Sequence, residues 1–123
     1  MDIIISNSNG KPIYEQISSQ VRAQILSGAL EAGERLPSIR ALADGLGVSV
    51  ITTKRAYSDL EGEGLVETVQ GKGCFVAGGN AELIREEQLR GIEELFGKAV
   101  AEGRTIGLSD GELQEMFALA LEV

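Results

Sequence analysis

Residues 36–57 hold two short segments of helical apolar periodicity separated by a glycine-containing turn. Leu36-Pro37-Ser38-Ile39-Arg40-Ala41-Leu42-Ala43 comes first, Leu46-Gly47-Val48-Ser49 makes the turn, and Lys54-Arg55-Ala56-Tyr57 lies on the second segment. Such a pair reads as a helix-turn-helix. The second helix opens on polar, hydroxyl-bearing residues, as a helix presented end-on to a DNA groove does. Alone, the pattern is weak. Here residues 65–76 follow it with a β-ribbon whose tip is basic and glycine-rich, and the combination points to a small DNA-binding regulator.

A chain of 123 residues suits one domain, or a small domain with an appendage. Apolar residues make up 43% of it and aromatic ones 4%, so aliphatic side chains must build the core. No apolar run approaches the length of a membrane span, so no membrane partner is expected. The start, Met1-Asp2-Ile3-Ile4-Ile5-Ser6, lacks the basic stretch and cleavage site of a signal peptide. One cysteine cannot form an internal disulfide, and a reducing cytoplasm is the simple expectation. The net charge of -8 is unusual for a partner of phosphates, but it is unevenly spread. Residues 1–77 hold seven Lys/Arg against nine Asp/Glu, and residues 78–123 hold four against ten. The tail carries most of the acidity, which leaves room for a local positive face on the first domain.

Along the chain, residues 1–11 read as an extended lead-in ending in a turn. Pro12 stands where a first helical residue is tolerated. Ile13, Ile17, Val21 and Ile25 then mark one face of a helix that Gly28 can end. Residues 29–36 read as a loop. Ser38 is the candidate cap of the second helix, whose Ile39, Leu42 and Ala43 point inward, with Gly45 and Gly47 in the following turn. Ser49 caps the third helix, which turns Ala56, Tyr57 and Leu60 inward and ends near Gly62 or Gly64. Residues 65–70 and 74–77 form a hairpin, the wing, around Gly71-Lys72-Gly73. Gly78-Gly79-Asn80 marks a domain boundary. Beyond it, one helix is predicted over about 81–101, with Leu89, Ile92, Phe96 and Ala99 on one face. A second starts at Ser109, where Ser109-Asp110-Gly111-Glu112 fits a capping box, and carries Leu113, Met116, Phe117, Ala120 and Leu121. Two such helices cannot bury both apolar faces alone, whereas a four-helix arrangement from two chains can, so a homodimer through the C-terminal helices is expected. The fold class is α+β: a winged helix-turn-helix of three helices and a hairpin over residues 1–77, then a two-helix dimerisation tail over 78–123.

Without histidine and with one cysteine, the chain offers neither a zinc site nor a nucleophile with an adjacent imidazole base. The carboxylate pairs Glu86-Glu87 and Glu93-Glu94 read as solvated helix faces. Around Gly71-Lys72-Gly73 a phosphate-binding loop fails, because Val66 stands where its first glycine belongs and Gly73 replaces the Ser/Thr. No cofactor, metal or enzymatic activity is expected. DNA binding asks for short polar or basic groups on the first turns of the recognition helix, and Ser49, Thr52, Thr53 and Lys54 provide them. Arg40 is suited to a phosphate or a guanine. Lys72 sits at the wing tip, where flanking glycines permit close approach to a minor groove or phosphates. Plainer roles compete: Ser49 as a cap only, Thr53 partly in the core, Arg40 as a plain surface arginine, Lys72 as an ordinary turn lysine, Cys74 as a packing residue of the wing strand; Arg35 can contact the backbone, and Arg55 lies beside the inward-facing Ala56.

The blocks Gly33-Glu34-Arg35-Leu36-Pro37-Ser38-Ile39-Arg40-Ala41-Leu42-Ala43, Leu46-Gly47-Val48-Ser49, Ala56-Tyr57-Ser58-Asp59-Leu60-Glu61, Glu63-Gly64-Leu65-Val66 and Gly71-Lys72-Gly73-Cys74-Phe75-Val76 resemble the N-terminal domain of GntR-type transcription regulators over about residues 10–77. The short tail resembles the YtrA-type subfamily, which implies dimerisation through it. The resemblance implies a repressor on a two-fold symmetric double-stranded DNA operator, with Arg40, Ser49, Thr52 and Lys54 at contact positions and Gly71 near the minor groove. Val50 and Ile51 depart from the Arg, Pro, Asn or Thr usual there, and Cys74 replaces a usual Thr. Larger members bind metabolites in a separate C-terminal domain that a chain of this length is not expected to contain, which leaves any small-molecule effector unidentified. A winged-helix protein–protein module without DNA binding is the alternative, and a sensor of a metabolite or metal is another.

Overall fold

A computed structural model describes residues 1–123, the side chain of Asn80 excepted. Four-residue spacing sets the first helix. Ile17, Val21 and Ile25 all fall on the buried face of α1 (Ile13–Ser27), and Gly28 closes it in the left-handed conformation. Pro12 stands one position earlier than expected, as the cap, with its carbonyl accepting from the Glu15 and Gln16 amides. The extended lead-in is held by side chains of that helix. Gln16 accepts from the Ser6 amide and donates to the Ser6 carbonyl, both at 2.8 Å. Gln20 does the same for Ile4, at 2.9 and 2.7 Å, and Gln24 donates to the Asp2 carbonyl at 2.7 Å. The match is geometric: four helical residues rise about 6 Å and two extended residues span about 6.6 Å, so the ladder stays in step as the strand runs back along the helix. Gln16 is buried. A Gln16→Leu variant leaves the Ser6 amide and carbonyl without those partners, and is expected to lose about 1–3 kcal/mol in urea unfolding. Faster amide exchange at Ser6 should accompany the loss.

The next two helices form the helix-turn-helix. Ser38 caps α2 (Ile39–Leu46), its Oγ accepting from the Ala41 amide at 3.0 Å. The helix runs through Gly45, which the sequence reading assigns to the turn. Burial of Leu42 and Ala43 outweighs the roughly 1 kcal/mol that a helical glycine costs. The turn begins instead at Gly47, whose φ of 70° a side chain would strain. Ser49 caps α3 (Val50–Gly62), and Ala56, Tyr57 and Leu60 enter the core as expected. Two contacts fix these helices against the rest. The Tyr57 hydroxyl donates to the Pro37 carbonyl at 2.7 Å, pinning α3 to the start of α2. Arg22 grips Glu63 with two hydrogen bonds of 2.8 and 2.6 Å, tying α1 to the end of α3.

The wing is the antiparallel pair β1 (Val66–Val69) and β2 (Gly73–Val76), in register Val66↔Val76 through Val69↔Gly73. Residues 33–36, expected as plain loop, pair with its second strand. The Gly33 and Leu36 amides donate to the Val76 and Cys74 carbonyls, each at 2.8 Å, and Val76 donates to Glu34 at 2.9 Å. Arg35 bridges Phe75, and its guanidinium packs on Gly73, where a Cβ would lie 3.1 Å from Nε. At φ 121° and under that arginine, position 73 admits only glycine comfortably.

The residues fall into two compact units, Met1–Arg85 and Glu86–Val123. In the first, Ile17, Val21, Leu60, Leu65 and Val76 are almost wholly buried, and Ala81 and Ile84 pack on that core from the start of α4 (Asn80–Thr105). Of the Gly78-Gly79-Asn80 break, the two glycines are exposed bends; the Asn80 side chain lies outside the described residues. In the second unit, α4 continues about one turn past its expected end and returns through α5 (Asp110–Ala120). Ser109 and Glu112 close the expected capping box at 3.2 and 3.0 Å, and donation from the Ser109 amide first, then its hydroxyl, lowers the Glu112 carboxyl from its ordinary value. Gly103 permits the close return, since a Cβ there would lie 2.6 Å from Leu113. Among the described residues no helix is long and apolar enough to cross a membrane.

Candidate nucleic-acid interface

The first turn of α3 combines capping with presentation. Ser49 Oγ accepts from the Thr52 amide at 3.1 Å and donates its own hydrogen to Thr52 Oγ1 at 2.8 Å. The cap thus uses the Ser49 proton, and Thr52 Oγ1 accepts it while keeping its own hydrogen to donate. The first amides of a helix lack intrahelical acceptors and carry the positive end of its dipole, so this end suits a phosphate or a base edge. Ser49 and Lys54 are exposed and Thr52 half-buried.

Arg40, on the first turn of α2, is exposed and shares with Lys54 a surface depression of about 420 Å³. Ser58 and Glu61 of α3 and Thr68, Gly73 and Cys74 of the wing are among its other lining residues. Thr68 Oγ1 donates to Glu61 at 2.8 Å, which braces the wing against α3. Gly71, at φ 80°, and Lys72 form the exposed wing turn, where the Lys72 amide donates to the Val69 carbonyl at 2.9 Å.

Thr53 does not join this set. It is fully buried, and its Oγ1 donates to the Ser49 carbonyl one turn back at 3.1 Å. A threonine can satisfy its hydroxyl in this way and so face a core, the plainer of the two roles its position offers. Two arginines gain defined places. Arg55 lies over the Tyr14 ring, 3.7 Å from its centroid, and Arg35 backs the wing. Neither arrangement has a local signature, since each pairs residues distant in sequence. Burial pushes the Cys74 thiol up, against the weaker opposing effect of its Thr68 hydrogen bond, which disfavours the reactive thiolate. Burial likewise pushes the Tyr57 phenol well above the usual tyrosine range, so it stays a neutral donor to Pro37.

Comparison with known proteins agrees with this geometry. Residues 13–76 match the family described as bacterial regulatory proteins, gntR family. The chain is 31% identical over 113 residues, 92% of its length and 87% of the relative's, to the HTH-type transcriptional repressor YtrA of Bacillus subtilis (strain 168). Among solved structures, YtrA from Sulfolobus acidocaldarius, a GntR-family transcription factor, aligns with a TM-score of 0.59 at 36% identity, over 74% of this chain and 97% of that one. The AraR DNA-binding domain, solved in complex with operator ORX1, aligns with a TM-score of 0.55 at 29% identity, over 63% of this chain and 96% of that one. With its three-helix and wing topology, its capped recognition helix and these likenesses, the chain belongs to the GntR family of bacterial regulatory proteins, in the YtrA-type subfamily, and is a DNA-binding transcription regulator.

Proposed function

We propose that this regulator is a cytoplasmic homodimeric repressor that occludes a promoter by binding a two-fold symmetric double-stranded DNA operator. Residues 1–77 act as the DNA-binding domain and residues 78–123 as the dimerisation tail. Each protomer places the start of α3 in the major groove. Two half-sites then lie about 34–36 Å apart, or at another separation set by the dimer. Arg40, Ser49, Thr52 and Lys54 supply the contacts in the groove and its flanking phosphates, and Gly71 and Lys72 bring the wing to the backbone or minor groove.

The observation that carries this reading is the exposed, Ser49-capped start of α3 beside a depression bordered by both Arg40 and Lys54. A likeness to a domain solved on its operator supports it. Replacing Arg40 by alanine is expected to weaken operator binding by about 1–3 kcal/mol, a 5- to 150-fold loss, with dimerisation and folding intact. Lys72→Ala should weaken binding to all sequences alike and lower the slope of log affinity against log salt by about 1. Unchanged affinity in the Arg40 variant removes that residue from the interface.

A further inference from the structure

At the two first positions of α3 the chain exposes apolar side chains: Ile51 is 82% exposed and Val50 43%. The fold does not ask for them. β-Branched residues are slightly poor helix formers, and a polar side chain at either place would avoid putting a branched hydrocarbon into water. The other apolar residues of α3, namely Ala56, Tyr57 and Leu60, are all buried. Ile51 and Val50 are also poor material for a protein interface. Exposed Ser49 precedes them, and exposed Lys54 and Arg55 follow one turn on, so polar and charged groups border them along the helix. Lys54 follows Ile51 by three positions and Val50 by four, so the helix sets a cation beside both hydrocarbons.

A surface that offers one small hydrocarbon amid hydroxyls and cations is the complement of a duplex major groove. The apolar feature on that groove's floor is the C5 methyl of thymine. We propose that Ile51, assisted by Val50, reads thymine methyl groups, so that each half-site requires thymine at one or two fixed positions. This rests on the DNA-binding reading above and names the base its recognition helix selects.

The test begins with an operator selected from random duplex DNA. Its thymines are then replaced singly by deoxyuridine, which removes the methyl and leaves every hydrogen bond. The full-length protein is expected to lose about 4-fold in affinity at a read position, the fold-change for one buried methyl group, and about 15-fold when both half-sites are changed. In Ile51→Ala that sensitivity should vanish while the Lys72 dependence on salt persists. An operator indifferent to deoxyuridine at every position, or one equally sensitive in the Ile51 variant, overturns the proposal and leaves DNA binding standing. Failure to enrich any sequence overturns the DNA-binding reading itself, and this inference with it.

Discussion

A Phe117→Glu variant is expected to be monomeric and to bind its operator about 100- to 10,000-fold more weakly, the range gained when two binding modules are linked. Phe117 meets Phe96 edge-on, with ring centroids 5.5 Å apart, yet the two rings remain 48% and 50% exposed. They border an open groove of about 770 Å³ between α4 and α5, lined also by Ala99, Val100, Met116 and Ala120. Leu89, Ile92 and Leu119 add further exposed hydrocarbon on the same two helices, and Ile106 and Leu121 just past their ends. In the proposed homodimer, the same face of a second copy covers this apolar surface. A carboxylate at position 117 would be desolvated in that contact without a counter-charge. Sedimentation should then show one chain, and titration with the operator should show the loss. The winged unit has its own core and should keep its fold, so its circular dichroism and weak binding to a single half-site remain. A variant that stays dimeric contradicts the assignment of this face.

The second large effect is on stability. Leu60 is fully buried where α3 meets the core around Ile17, Val21 and Leu65. Leu60→Ala removes packed hydrocarbon and leaves a cavity, at a cost of about 2–5 kcal/mol. Against a total of about 5–15 kcal/mol for a domain, that is a large share. For a winged unit of this size the melting temperature should fall by about 8–40 °C. Because Leu60 also positions the recognition helix, operator binding should disappear with the fold and return below the new transition. A shift of only a few degrees would mean that the site is not part of the core.

The features legible in the sequence are those that a few neighbouring residues decide. Ser38, Ser49 and Ser109 announce helix starts because a hydroxyl satisfies amides two or three residues ahead, and each does so here. The four-residue recurrence of Ile17, Val21 and Ile25 likewise reports a buried face directly. Where the reading fell short, the cause is distance or competition. Nothing local says that Gln16 and Gln20 will clamp residues 4 and 6, or that residues 33–36 will pair with the wing. Gly45 reads as a turn by propensity, but burial of its neighbours carries the helix past it. Thr53 shows the limit most clearly for the interface. The sequence leaves it both roles; its spacing with Ala56, Tyr57 and Leu60 puts it on the buried face, and donation to the Ser49 carbonyl satisfies its hydroxyl there.

In the proposed complex, two copies of this chain read a symmetric DNA sequence through the start of α3. Selection from random duplex DNA, with the winners titrated across a salt series, tests it most directly. The expected result is a two-fold symmetric motif bound with steeply falling affinity as salt rises, the slope shallower in Lys72→Ala. Enrichment of no sequence even at low salt, together with salt-insensitive behaviour, would contradict DNA recognition by this helix and favour a winged helix that binds protein.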